Sequence, residues 1–201
     1  MRQWATRFLM AFSMAAALGV PAGHAWALNW RIAPDQSQIT FDYTEDGAPA
    51  QGRFERFEGL GEFDRARPQR ARLDLTIEID SIQLSSGFRS SFVKTETWFD
   101  AENFPEARFK LEEIALADPA TPAPAEGETA RYRVAGVLEI KGAEQEVDTV
   151  IDLTLEARRA RAVGSVAFKR SDFSIGDRIG GLFVELGDEI IVNFDIIANR
   201  L

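Results

Sequence analysis

Apolar side chains recur at every second position along most of the chain after residue 28. In the first such segment, Ile39, Phe41 and Tyr43 alternate with polar residues. A period of two is typical of half-buried strands, and one solvated face favours an antiparallel sheet. Later segments repeat the pattern with Leu73, Leu75, Ile77 and Ile79; Tyr132, Val134, Leu138 and Ile140; Val147, Ile151, Leu153 and Leu155; Val166 and Phe168; and Ile190, Val192, Phe194 and Ile196.

The number and length of these segments predict an all-β fold of about eight strands, arranged as an up-and-down barrel or a sandwich. A further strand is expected over Phe54 to Phe63, with a bulge or sharp bend at Gly59 and Gly61. An eight-stranded barrel is either filled by its own side chains or holds one slender ligand, and periodicity does not choose between them. We expect these side chains to point inward: Leu75, Ile77, Val134, Leu138, Ile151, Leu153, Val192 and Phe194.

Two segments interrupt the period of two. From Ser85 onward, Phe88, Phe92 and Phe99 follow at spacings of four and seven, which predicts a helix of about three turns with Ser85 or Ser86 as its cap. Residues 117–130 hold three prolines and almost no bulky apolar side chain, which predicts a flexible surface loop between two strands.

The first 27 residues read as a secretory signal peptide. Arg2 and Arg7 precede the apolar run from Phe8 to Val20, and Ala25-Trp26-Ala27 is an A-x-A cleavage signal. We therefore expect cleavage after Ala27, a periplasmic location, and a single domain over residues 28–201. Removing the leader changes the net charge from −9 to −11, which makes binding to nucleic acid unfavourable.

The residue types left after residue 27 exclude much catalytic chemistry. The chain has no cysteine, and its only histidine is His24 in the leader. Catalytic triads, imidazole bases, ordinary zinc sites and haem or iron–sulfur ligation therefore have no residues to use. We expect no enzymatic activity, no catalytic residues, no metal site and no cofactor.

Other polar motifs favour structural roles. Arg170-Ser171-Asp172 either grips a polar head group or stabilises a turn, and the turn is favoured. Gly180-Gly181 is too short for a phosphate loop, and Asp177, Asp188 and Glu189 lack calcium-loop spacing. Four arginines around Pro68 (Arg65, Arg67, Arg70 and Arg72) form a solvated turn or a contact to anionic lipid.

Phenylalanine is concentrated in the first half of the domain. Its residues pack in the core or line a cavity for a long apolar chain, and the sequence leaves both open. We name the following as candidate cavity-lining, ligand-binding residues: Phe41, Phe54, Phe57, Phe63, Leu75, Ile77, Phe88, Phe92, Trp98, Phe99, Phe109 and Phe173.

Five short motifs, taken in order, resemble the YceI-like family of periplasmic polyisoprenoid-binding proteins. The resemblance covers nearly all of residues 28–201. Four positions depart from the family pattern: Gln36 stands where a His is common, Ser90 and Phe92 stand where His and Asp often occur, and Ser174 stands in place of Gly. The motifs are Trp30 with Asp35-x-Ser37-x-Ile39-x-Phe41; Asp80-Ser81-Ile82; Trp98-Phe99-Asp100 with Phe104-Pro105 and Phe109; Gly136-x-Leu138-x-Ile140-Lys141-Gly142; and Arg170-Ser171-Asp172-Phe173-Ser174-Ile175-Gly176.

The resemblance implies an extended, lipocalin-like antiparallel barrel of eight strands with one short helix. It also implies a long apolar cavity for an isoprenoid chain, such as that of a polyprenyl quinone or a similar amphiphile. We therefore expect periplasmic binding, storage or transport of such a lipid. The alternative is an interaction or stress-response module that has a filled barrel and works through its outer surface. Transient membrane contact and a homodimer stay open as further options.

Overall fold

The computed structural model describes residues 29–176 and 185–201. Nearly all regular structure there is antiparallel β, as the period of two predicts. The strands are β1 (Asn29–Ile32), β2 (Gln38–Glu45), β3 (Ala48–Phe54), β4 (Phe57–Glu62), β5 (Arg72–Glu78), β6 (Ile82–Gln83), β7 (Glu106–Leu116), β8 (Thr129–Ile140), β9 (Ala143–Leu155), β10 (Arg159–Lys169) and β11 (Glu189–Arg200).

These strands form a closed eight-stranded barrel, which confirms the predicted fold. β1 and β2 both pair with β11, so they act as one long bent strand, and β3 with β4 forms the long strand next to it. The ring continues through β5, β7, β8, β9, β10 and β11, and β1 closes it by pairing with both β4 and β11. We call the end with the β2–β3 turn the upper end and the end with Asn29 and Glu62 the lower end.

A serine side chain stabilises the break in each of the two long strands. Between β1 and β2, a 3-10 turn spans Pro34–Gln36, and the Ser37 hydroxyl donates to the Ala33 carbonyl at 2.8 Å. Near the break between β3 and β4, the Ser81 hydroxyl donates to the Glu78 carbonyl at 2.7 Å. Both serines belong to the sequence motifs, and their side chains satisfy backbone groups where the ladder is interrupted.

The predicted strand over Phe54 to Phe63 is wrong in its details. The strand is interrupted at Glu55 and Arg56, between β3 and β4. Gly59 and Gly61, by contrast, pair in continuous register with β5. The glycines serve close packing instead, because a Cβ at Gly59 would lie 2.6 Å from Ile32 Cδ1. A shift of register, of the kind that a β-bulge produces, occurs in a different ladder. It lies between Leu111 and Glu113 of β7, where β7 pairs with β8.

The predicted helix exists but is shorter than expected. α1 spans Gly87–Phe92, and its cap is Ser86, whose side chain accepts from the Arg89 amide at 3.3 Å. At the end of the helix the Thr95 hydroxyl donates to the Phe92 carbonyl at 2.8 Å, and β-branched residues, which favour a helix less, follow Phe92. Phe99 therefore does not lie on the helix, and α1 with the turns after it covers the upper end of the barrel.

Loop and terminal predictions have mixed outcomes. The segment between β7 and β8 is an exposed loop over residues 117–128, and its flexibility stays a prediction. The predicted signal peptide (residues 1–27), Asp177 and Gly180-Gly181 lie outside the described residues.

One part of the barrel wall lacks a continuous ladder. Pairing between β9 and β10 ends at Gly164 opposite Ile151, so residues 143–150 of β9 and 165–169 of β10 are not paired with each other. At this point the Thr149 hydroxyl donates to the Ser165 carbonyl. We call these two unpaired stretches the seam.

Candidate functional site

The barrel encloses a cavity of about 680 Å³. It extends from Trp30 and Phe63 at the lower end to Phe88 and Arg89 at the upper end, and nearly all of its lining is apolar. All eight side chains predicted to point inward line this cavity, which confirms the predicted register of β5, β8, β9 and β11.

Inward-facing glycines keep this space open. Phe41 lies across the ladder from Gly52, and Phe194 lies across from Gly164. A Cβ at Gly164 would be 2.9 Å from Phe194 Cζ, and a Cβ at Gly136 would be 2.7 Å from Phe109 Cζ. Because these glycines have no side chain, the phenylalanine rings lie against the barrel wall and leave its centre empty.

Ten of the twelve candidate residues line the cavity. Phe63 closes the lower end, where its ring meets Tyr132 edge-on at 5.8 Å. Phe88 stands at the upper end with 80% of its surface exposed, and its ring stacks on Phe92 at 6.2 Å. The ten are Phe41, Phe54, Phe63, Leu75, Ile77, Phe88, Phe92, Trp98, Phe99 and Phe109.

The other two candidates, Phe57 and Phe173, belong to the packed core instead. Phe57 begins β4 and packs with Ile32 and Ile39. Phe173 ends the 3-10 turn Arg170–Phe173 and meets Phe168 edge-on at 5.2 Å. Their periodicity and aromatic character match those of the lining residues, but the strand break and the turn carry them behind the cavity wall.

Polar groups reach the cavity mainly at its ends. At the upper end these are Tyr43 and Glu45 of β2 and Arg89 of α1, and Arg89 Nη1 donates to the Glu45 carboxylate. Burial raises the pKa of the Tyr43 phenol, and Glu45 adds to the rise while Arg89 opposes it. At the lower end, Glu62 and Arg72 are opposite one another on β4 and β5.

The Arg170-Ser171-Asp172 motif stabilises a turn, as favoured from the sequence. Arg170 donates to the carbonyls of Ile175 at 2.7 Å and Gly187 at 3.1 Å. Asp188 accepts from the Ser171 amide at 3.0 Å and from its hydroxyl at 2.9 Å. These bonds with Ser171 lower the pKa of the Asp188 carboxyl. Arg170 is therefore committed to backbone carbonyls, and Asp188 is engaged in the turn.

Sequence reasoning missed two groups of residues. The first group is the inward-facing glycines Gly136 and Gly164, which were given no role in the cavity although they stand in phase with the inward-facing residues of their strands. Their phase is the signal that reveals them. Tyr43, Glu45 and Arg89 had no such signal, because β2 and α1 are brought together only by the fold.

Two further properties concern the part of the chain that the structure describes. Within residues 29–176 and 185–201, no group of three or more His, Cys, Asp or Glu side chains is placed to hold a metal ion. Across the same ranges, no helix is both long enough and apolar enough to cross a bilayer.

Comparison with known proteins identifies relatives in sequence and in structure. A UPF0312 protein of Photorhabdus laumondii is 29% identical over 135 residues, which cover 64% of this chain and 65% of that relative. The crystal structure of BcnA from Burkholderia cenocepacia superposes with a TM-score of 0.69 at 25% identity, covering 83% of this chain and 98% of that one.

A polyisoprenoid-binding domain from Saccharophagus degradans shares the fold, with a TM-score of 0.68 at 16% identity over 87% of this chain and 99% of that one. The family model described as "YceI-like domain" matches residues 30–198, which cover the eight-stranded barrel except Asn29 at the start of β1 and residues 199–200 at the end of β11. The chain therefore belongs to the YceI-like family.

Proposed function

We propose that this protein binds an isoprenoid lipid or a similar amphiphile inside the barrel and acts as its periplasmic carrier or store. The observation that carries the proposal is the apolar cavity of about 680 Å³. Its polar groups cluster at the ends, so an apolar tail along the barrel axis meets few unpaired donors or acceptors. The fold shared with a domain described as polyisoprenoid-binding supports the same assignment.

Burial of the tail supplies the binding free energy. Each methylene removed from water contributes about 0.8 kcal/mol, so a few prenyl units offset the cost of association and leave micromolar or tighter affinity. Such binding makes and breaks no covalent bond. The alternative, an interaction module with a filled barrel, is disfavoured by the cavity.

The direct test is extraction of the natively purified protein with organic solvent, followed by mass spectrometry of the extract. We expect an isoprenoid lipid in stoichiometric amount. Calorimetric titration of the delipidated protein with a prenylquinone should then give one saturable site. If the extract contains no lipid and the titration gives no heat of binding, the interaction module would be favoured.

The cellular location of the protein is tested in a separate experiment. We propose that the leader directs export and is cleaved after Ala27, so the intact mass of the exported form should correspond to a chain that begins at Leu28. A mature species that retains residues 8–20 would indicate an N-terminal anchor instead.

A further inference from the structure

The upper end of the cavity holds a small polar cluster that an apolar tail does not need. Tyr43 and Glu45 are alternate residues of β2, so both point to the same face of the strand. Arg89 comes from α1, whose first turn is held by the Ser86 cap. All three side chains line the cavity.

The charges of this cluster balance one another. Arg89 is ion-paired with Glu45, whose side chain is only 17% exposed. A second cation at this end, Arg170, already donates to the carbonyls of Ile175 and Gly187. The cluster therefore presents a neutralised ion pair to the cavity, and not an uncompensated positive charge.

Tyr43 supplies a neutral donor beside the pair. Its phenol lies with Glu45 and Arg89 on the lining of the cavity, and its hydroxyl proton can be donated to a ligand there. Because burial raises the pKa of the Tyr43 phenol, that proton stays in place at neutral pH.

We propose that Tyr43, Glu45 and Arg89 form a head-group site that accepts a neutral hydrogen-bond acceptor, such as a ketone or quinone carbonyl, and rejects an anionic head group. This inference rests on the proposed lipid-binding function and specifies the ligand further. The Tyr43 phenol donates to the carbonyl oxygen, and the Arg89–Glu45 pair lies beside it on the cavity lining.

Rejection of anions follows from Glu45. A phosphate or carboxylate head seated beside this largely buried carboxylate meets like-charge repulsion, and Arg89 is already neutralised. The net charge of the whole chain, −9, opposes an anion further. Tail burial alone does not discriminate between heads, so this site is where the selection occurs.

The test compares three ligands with geranylgeranyl-length tails: a quinone, a diphosphate and a hydrocarbon with no head group. Dissociation constants are measured on the full mature protein by calorimetry. We expect wild type to prefer the quinone over the hydrocarbon by about fivefold to tenfold, as for one hydrogen bond. The diphosphate should bind more weakly than the hydrocarbon.

Two variants assign the preference to residues. Tyr43→Phe should weaken quinone binding about fivefold to tenfold and leave hydrocarbon binding unchanged. Glu45→Gln should improve diphosphate binding, because it removes the repelling charge. Tyr132→Phe is the matched control, since Tyr132 is the only other tyrosine, is buried near the lower end and does not line the cavity.

The outcomes separate this inference from the proposed function. If no ligand binds to wild type, the lipid-binding proposal fails. If all three bind equally, or if Tyr43→Phe weakens quinone and hydrocarbon alike, lipid binding stands and the head-group site is refuted. A quinone preference that Tyr132→Phe abolishes and Tyr43→Phe retains would place the head at the lower end.

Discussion

At the residue scale, the cavity depends on three glycines, whose lack of a side chain leaves room for neighbouring rings at the barrel wall. Gly52, Gly136 and Gly164 lie where a neighbouring phenylalanine ring covers the strand, and a side chain at any of them would push that ring towards the barrel axis. The emptiness of the barrel therefore depends on glycine as much as on the apolar lining.

Gly136→Ala tests this dependence. Its Cβ would lie 2.7 Å from Phe109 Cζ and closer still to the Lys110 carbonyl oxygen, which is backbone and cannot rotate away. We expect the free energy of unfolding to fall by about 1–3 kcal/mol, as for an overpacked core. Gly87→Ala is the control, because a Cβ there meets no atom within 4 Å. Equal stability of the two variants in denaturant titrations would contradict the argument.

Ser174 provides a gain-of-stability test. It has φ of 52°, in the left-handed region that glycine adopts more easily, and a glycine is usual at this place in the motif. Its hydroxyl makes no hydrogen bond to the residues that the structure describes. Ser174→Gly should therefore raise the free energy of unfolding by about 1 kcal/mol. A lower melting temperature would show that the Ser174 side chain has another role.

Phe92→Arg tests the upper end of the cavity. Phe92 is half-buried between Phe88 and Trp98, whose ring it meets at 5.9 Å. An arginine here reaches water with its charged head while its stem occupies ligand space. We expect loss of prenylquinone uptake, followed by quenching of tryptophan fluorescence, with a thermal melt that stays cooperative.

The control for Phe92→Arg is Leu60→Arg, because Leu60 is exposed on the outer face of β4. It should leave uptake unchanged. Wild-type uptake by Phe92→Arg would show that Phe92 does not border the entry path, and an unfolded variant would show that Phe92 is core.

Individual residues differed in how well the sequence predicted them. Inward-facing strand residues such as Val134 and Leu153 were predictable because the pleat fixes their side once the period is known. Phe57 and Phe173 share the same chemistry but pack elsewhere, because the strand break and the turn before them depend on contacts between distant segments. Cavity and core phenylalanines are therefore indistinguishable by local pattern.

At the element scale, the seam is the least supported part of the barrel wall. β8 and β9 pair continuously from Thr129 to Ile140, whereas β9 and β10 pair only over residues 151–155 and 160–164. Along the seam, every second backbone amide of each strand points towards a strand that does not reach it. Val147 and Phe168 line the cavity there, so the seam borders the ligand space.

Native-state hydrogen exchange followed by NMR should detect the seam. We expect alternating fast and slow amides over residues 143–150 and 165–169, since one side of each strand is still paired. Residues 151–154 of β9, with ladders on both sides, should be protected throughout. Uniform protection along β9 would mean that the strands close in solution.

The short helix shows the limit of element prediction. Its start was predictable because Ser86 is a local cap, and its end was not, because Phe99 continues the apolar spacing without continuing the helix. The chain turns instead, and Lys141 in the β8–β9 turn donates to the Glu96 carbonyl at 2.9 Å. Such a contact joins residues far apart in sequence, which a local pattern does not contain.

At the scale of the whole molecule, barrel architecture and barrel contents have different origins. The architecture follows from eight alternating strands, which the sequence displays directly. The contents depend on the sum of side-chain volumes across all the strands, including the pairing of glycines with phenylalanines in neighbouring strands. A filled and an empty barrel are therefore equally compatible with the alternation, and the cavity volume decides between them.

The cavity volume also predicts how affinity depends on tail length. The cavity of about 680 Å³ is finite, so it encloses only a limited number of prenyl units. Within that length, each added unit buries more apolar surface and should lower the dissociation constant about tenfold after the cost of ordering.

Beyond the length that the cavity encloses, the additional tail leaves the cavity, so the affinity should stop rising. Titration of the delipidated protein with a series of prenylquinones that share one head group measures the dissociation constant against tail length. The expected curve falls steeply and then flattens, and the position of the break measures the enclosed length. A dissociation constant that keeps falling with every added unit would mean that the barrel wall opens, most readily at the seam, to enclose the rest of the tail.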